Sequence, residues 1–141
     1  MTTLYLIRHA EAEGNLYRRV HGWYDALVTG NGYRQIQALE ARFANISVDA
    51  VYSSDLSRAM VTAQAVYLPK GLPLHTDPGL REVHMGSWED HPWSEIREVD
   101  GERLSQFNRS DPAWQAPNGE SLKQAGERME RTIRAIAQKH P

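Results

Sequence analysis

Arg8 and His9 stand where an apolar, β-branched and aromatic run, Leu4-Tyr5-Leu6-Ile7, gives way to small and polar residues. A guanidinium grips phosphate oxygens in a fork, and an imidazole beside it can attack phosphorus. A second cluster, Ser53-Ser54-Asp55-Leu56-Ser57-Arg58-Ala59, has the same design of strand end, polar turn and helix start. Backbone N–H groups at a helix N-terminus favour an anion, and Arg58 in the first turn would aim at the same place. A third segment, Leu80-Arg81-Glu82-Val83-His84-Met85-Gly86-Ser87-Trp88-Glu89, follows a predicted strand and brings Glu82 toward the same crevice. Beside a phosphoryl centre a carboxyl can act as general acid and base. Each signal alone has a plainer reading: a structural histidine, an arginine solvated or paired with Asp55, an ordinary ion pair. Together they point to phosphoryl chemistry.

These residues need a scaffold. The run from Thr3 to Arg8 reads as a buried strand, and ligands of open α/β sheets bind beyond the carboxyl ends of strands. A glycine-rich loop through Gly14, Gly22 and Gly30-Asn31-Gly32 follows, and then Ile36, Leu39 and Phe43 recur at helical spacing. Asp49 to Ser53 reads as a second strand, parallel to the first through a crossover. Ser53-Ser54-Asp55 offers N-cap candidates for a helix from Leu56 to Tyr67, which Pro69-Lys70-Gly71 stops. Leu72 to Thr76 is a short third strand. Residues 78–117 are irregular by pattern, with one helix near Trp93–Glu98, and read as an inserted lid packed by Trp88, Trp93 and Trp114. Glu120-Ser121 opens a last helix to about Lys139, striped by Leu122, Ala125, Met129, Ile133, Ile136 and Ala137. The expected architecture is a single α/β domain over residues 1–141, a three-layer sandwich with a mostly parallel sheet flanked by helices.

Composition narrows the function. The chain has 141 residues, 40% of them hydrophobic and 24% charged, enough for one globular core. A net charge of −2 without a basic run argues against nucleic acid or an anionic membrane as partner. The absence of cysteine excludes disulfides, thiolate metal sites and cysteine nucleophiles. No secretory signal pattern opens the chain and no stretch approaches membrane-spanning length, so a cytoplasmic location is the default. His75, His84 and His91 lie near Glu89 and Asp90 but lack a metal-ligand spacing such as His-x3-His, so no metal site is expected there.

In order along the chain, these segments resemble the histidine phosphatase superfamily, also called phosphoglycerate mutase-like. Arg8-His9-Ala10-Glu11, with Asn15 beyond, is similar to its opening Arg-His-Gly-Glu motif. Gly22-Trp23-Tyr24-Asp25, Leu27-Val28-Thr29 and Gly32 resemble its next block, and Ser53 to Ala59 its second arginine motif. Glu82 occupies the place of its acid/base glutamate, and Asn118-Gly119-Glu120-Ser121 that of the segment opening its long later helix.

The resemblance implies that His9 becomes phosphohistidine. Arg8 and Arg58 would neutralise the phosphoryl oxygens, Asn15 would donate to them, and Glu82 would protonate the leaving alcohol. His21, before Gly22, stands where the mutases carry Ser or Thr for substrate contact. No metal or cofactor is implied, because two arginines and an imidazolium take the role often filled by Mg²⁺. The implied partner is a small phosphorylated metabolite. Glu82-Val83-His84-Met85-Gly86 departs from the Glu-Arg-His-Tyr-Gly of the mutases, and Gly86-Ser87-Trp88-Glu89 looks more like phosphatase members. A phosphomonoester hydrolase is therefore expected, with mutase activity or a catalytically weak phosphate-ester binding module as rival readings. The family's Ser/Thr-His-Gly motif, which follows the long helix, has no match here, and His140 is the nearest histidine. The expectation is a longer natural chain; the other route to a complete sheet is a homodimer that supplies the pairing by swapping or edge association.

Overall fold

The computed structural model describes residues Met1–Pro141. It is an α/β structure whose sheet is small. Strands β1 (Val51–Ser53) and β2 (Leu74–Thr76) pair in parallel, with Val51 opposite Leu74 and Ser53 opposite Thr76. A parallel pair needs a crossover, and helix α3 (Ser57–Tyr67) supplies it. The chain order is α1 (Glu13–Tyr17), α2 (Gly30–Phe43), β1, α3, β2, α4 (Trp93–Val99), α5 (Gly101–Asn108) and α6 (Leu122–Gln138), with short 3₁₀ turns at Pro78–Leu80 and Gly86–Trp88. Helix α2 packs on α3, and α6 packs on the Pro78–Leu80 turn. No helix is long and apolar enough to cross a membrane.

Local chemistry explains the helix starts. Thr29 caps α2 by accepting from the Gly32 N–H, so Gly30 to Gly32 form its first turn and not the loop expected from sequence. Gly32 is required there, because a Cβ would meet the Glu11 carbonyl oxygen at 2.2 Å. The N-terminus of α3 is capped from outside: Asp25 accepts from the Ser57 N–H at 2.7 Å and from its hydroxyl at 3.0 Å. The expected caps at Ser53, Ser54 and Asp55 are not used, since Leu56 takes the N-cap position. Helix α6 opens with a reciprocal capping box between Ser121 and Gln124.

Two expectations need correction. The run Thr3 to Arg8 joins no ladder, and its Leu6 is 81% exposed. β1 is paired on the β2 side alone, so the apolar run has no hydrogen-bonded strand neighbour; Tyr5 packs edge-on to Phe43. The strand-to-strand crossover expected from residues 3–8 to β1 is therefore absent. The segment 78–117 is less irregular than its pattern implied. It folds into α4, α5 and two 3₁₀ turns, and supplies most of the main core cluster: Met85, Trp88, Ile96, Leu104, Trp114 and Ala116, with Val20. Trp88 meets Trp93 and Phe107 edge-on, Trp114 is tilted against Trp88 and Phe107, and Trp93 stacks on Phe107, arrangements that aromatic quadrupoles favour. The stripe of α6 is half-buried throughout, with no residue fully covered.

Candidate active site

His9 follows the unpaired apolar run directly. Its Nδ1 lies 2.6 Å from the Ala10 carbonyl oxygen, to which an N–H there donates. That tautomer leaves the lone pair on Nε2. Nε2 in turn lies 3.6 Å from Oε2 of Glu82. The Ala10 N–H donates to the Thr62 hydroxyl, which fixes the backbone beside His9 to the body of α3. Thr62 itself donates back to the Arg58 carbonyl, one helical turn earlier.

Arg58 is the most deeply enclosed charge, with a side chain 1% exposed. Its Nη2 donates to the Gly22 carbonyl at 2.6 Å and to Glu82 Oε2 at 2.7 Å, and its Nη1 donates to the Tyr24 carbonyl at 2.7 Å. Gly22 has φ of 56°, in the left-handed region, and a Cβ there would strike Glu89 Oε2 at 2.6 Å. The expected partner of Arg58 in the plainer reading, Asp55, is bound instead by Arg81 through two contacts of 2.6 Å. That fork, aided by the charge of Arg81, holds the Asp55 carboxyl below its ordinary range, although burial opposes the shift.

His21 completes the group. Its ring meets His9 edge-on at 5.7 Å between centroids, and its Nε2 accepts from the Gly14 N–H at 2.8 Å. Burial, with the nearby Arg58 charge, lowers its pKa from 6.5 to about 4. A neutral ring that accepts at Nε2 carries its proton on Nδ1, where it is a donor for an oxygen.

The structure thus brings His9, His21, Arg58 and Glu82 together and places Gly22 against them. Arg8 is exposed and makes no ion pair or hydrogen bond within the chain. Asn15 sits in α1, where its Oδ1 accepts from the Ala12 N–H at 3.0 Å, leaving its amide N–H groups unused. The histidines weighed for a metal are dispersed: His75 stacks on Tyr52, His84 stacks on Trp23, and His91 faces Glu95.

One ligand set does converge: His9, His21 and Glu82 offer donor atoms within 4.8 Å of one another. Its chemistry suits an anion better than a cation. Arg58 already occupies Glu82 Oε2, and the Gly14 N–H occupies the His21 lone pair. A guanidinium inside the set would repel a metal ion.

Several supporting residues were not legible by type and spacing. Glu89 accepts from the N–H groups of Trp23 and Met85 and so braces the Gly22 turn. Asp25 caps α3, and the Trp23 indole N–H donates to the Glu82 carbonyl at 2.9 Å. Trp23 and Asp25 stand in the Gly22-Trp23-Tyr24-Asp25 block and Glu89 in the Gly86-Ser87-Trp88-Glu89 stretch, but neither pattern gave them a role.

Residues 4–141 match the model of the histidine phosphatase superfamily, branch 1. The chain belongs to that family. A probable phosphoglycerate mutase of Yersinia pestis is 34% identical over 129 residues, covering 92% of this chain and 60% of the relative. The chain spans about 60% of the length of such curated relatives. Among solved structures, Bacillus stearothermophilus YhfR superposes with a TM-score of 0.89 at 30% identity, covering 94% of this chain and 66% of that one. The α-ribazole phosphatase of Shigella flexneri gives 0.84 at 30% identity, with the same two coverages, 94% and 66%. A mycobacterial glucosyl-3-phosphoglycerate phosphatase in complex with VO3 gives 0.86 at 28%, again covering 94% and 66%.

Proposed function

We propose that this protein hydrolyses a small phosphomonoester through a phosphohistidine at His9. The observation that carries the reading is the position of Glu82 Oε2, 2.7 Å from Arg58 Nη2 and 3.6 Å from His9 Nε2. One carboxyl thus stands beside both the anion-binding cation and the nucleophile. His9 Nε2 attacks phosphorus, the P–O bond to the alcohol breaks, and Glu82 gives its proton to the departing oxygen. Glu82, now a carboxylate, takes a proton from water as the water oxygen attacks the phosphohistidine. Inorganic phosphate leaves and the His9 lone pair is restored.

The phosphoryl oxygens are held by Arg58, Asn15 and His21, which the fold preorganises, and by Arg8, which must move. Arg58 faces them from its enclosed position, the unpaired guanidinium of Arg8 folds in from beside the nucleophile, and the free amide N–H groups of Asn15 add a neutral donor. His21 contributes its Nδ1–H. The segment 78–117 serves as the wall of the pocket that receives the alcohol portion.

A second reading, phosphoglycerate mutase activity on the same residues, is favoured by the names of the curated relatives. The two differ in what accepts the phosphoryl group. With isotope-labelled phosphoester and an excess of an acceptor hydroxy acid phosphate, hydrolysis releases the label as inorganic phosphate. Label recovered in a new ester instead would establish the mutase and overturn the hydrolase.

A further inference from the structure

We infer that Arg128, on α6, is a positioning residue that fixes Glu82 for proton transfer. The inference rests on the acid/base role of Glu82 proposed above. Arg128 uses all of its guanidinium N–H donors. Nη1 donates to the carbonyls of Gly79 and Arg81, each at 2.8 Å. Nη2 donates to the Glu82 carbonyl at 3.0 Å and to Glu120 Oε1 at 2.8 Å, while Nε donates to Glu120 Oε2 at 2.9 Å. Its side chain is 17% exposed, so the bonds to Gly79, Arg81 and Glu120 are partly shielded from water, while the bond to the Glu82 carbonyl lies at the exposed rim.

Glu120 extends the grip. Its Oε1 also accepts from the His84 N–H at 2.9 Å. Burial works to raise the Glu120 pKa, but the Arg128 bonds and the His84 N–H outweigh it and leave the carboxyl below its ordinary range. The pair therefore holds the backbone at residues 79, 81, 82 and 84 from both sides of Glu82. The Trp23 indole N–H adds a second donor to the Glu82 carbonyl, with its ring stacked on His84 at 4.2 Å and lying 4.8 Å from the Arg81 guanidinium.

This arrangement matters because the Glu82 side chain is itself half-exposed, with Arg58 as its single hydrogen-bond donor. A carboxylate held by one contact in partial solvent is aimed by its backbone. Fixing that backbone keeps the oxygen near both His9 and the departing group, and displacements near 1 Å are enough to matter. Arg128 touches no substrate in this account; it acts through Glu82.

A structural brace and a positioning residue predict different kinetics. In the intact protein, kcat/KM reports steps up to loss of the alcohol, and only a poor leaving group needs its oxygen protonated. The test compares an alkyl phosphate that the wild type turns over with p-nitrophenyl phosphate, in wild type, Glu82→Gln and Arg128→Ala. Arg128→Ala is expected to lower kcat/KM about a hundredfold for the alkyl ester and less than about fivefold for the aryl ester, the same pattern as Glu82→Gln. Arg128→Lys, which keeps the charge but not the planar fork, should fall between wild type and Arg128→Ala. Equal losses for the two esters, or no loss, would overturn the inference. If Arg128→Ala does not fold, Glu120→Gln carries the test: its expected effect is the same selectivity at about tenfold, and a uniform effect on both esters counts against positioning. Hydrolysis that survives His9→Ala would instead reject the underlying reading of the site, whatever Arg128 does.

Discussion

Arg58 donates to Glu82 Oε2 at 2.7 Å, and that same oxygen faces His9 Nε2 at 3.6 Å. The cation that would hold the phosphoryl group therefore also holds the proton carrier. Arg58 further ties the Gly22 and Tyr24 carbonyls to the site, so it organises the loop after α1 as well as the charge.

Replacing it should show both roles. Arg58→Ala leaves two carbonyls and a carboxylate without their donor, with an expected loss of about 2–4 kcal/mol in chemical denaturation. Arg58→Lys retains charge but cannot fork, and should lower kcat/KM by about two orders of magnitude. Steady-state kinetics on folded Arg58→Lys check this, and wild-type kcat/KM there would refute the fork.

Gly14 and His21 are coupled sterically. A Cβ at Gly14 would lie 2.2 Å from His21 Nε2, so Gly14→Ala must displace the ring and break the 2.8 Å bond from the Gly14 N–H. The expected cost is about 1–3 kcal/mol. Removing the ring in the Gly14→Ala/His21→Ala double variant should restore part of it, a non-additivity readable by thermal melts. Strict additivity would show that the clash is relieved elsewhere.

His21 also sets a pH dependence. Its pKa is about 4 in the fold against an ordinary 6.5, with burial the chief cause. Between those values the unfolded chain binds the extra proton, so stability rises as pH increases from about 4 to 6.5 and is lost as pH falls. Denaturant midpoints over this range should show His21 contributing up to about 1.4 kcal/mol per pH unit to the slope. His21→Gln, which cannot titrate, should flatten that part of the curve; an unchanged slope would assign it to other groups.

The aromatic core offers a contrast between two tryptophans. Trp88 Nε1 donates to Asp100 at 3.1 Å, whereas the fully buried Trp114 Nε1 has no partner. Trp88→Phe loses both area and a hydrogen bond to a carboxylate, for about 2–3 kcal/mol. Trp114→Phe loses area but removes an orphaned donor, and should cost at least about 1 kcal/mol less. Equilibrium unfolding of the two variants decides the order.

The sequence disclosed the chemistry more fully than the scaffold. His9, Arg58 and Glu82 were legible because each ends or follows an element whose pattern is strong, and the structure brings their functional atoms together. Helices α3 and α6 were legible from spacing and punctuation, and β1 and β2 were recognised within two residues of their observed starts. The run Leu4 to Ile7 was misread because an apolar pattern records strand propensity and not the presence of a neighbour to pair with. Helix α4 was legible near Trp93–Glu98, whereas α5 was missed because eight residues hold barely two turns of periodicity. Arg128 was invisible for another reason. It lies 46 residues from Glu82 and reads locally as one more polar residue on a charged helix.

The measurement closest to the central claim is direct detection of the phosphoenzyme. The intact protein, mixed with p-nitrophenyl phosphate and quenched in alkali, should carry acid-labile phosphate on His9 by peptide mass spectrometry, with more accumulating in Glu82→Gln, where this leaving group still departs but water attack slows. His9→Ala should show neither the label nor turnover. Phosphate release that continues in His9→Ala, or a label on another residue, would contradict the account.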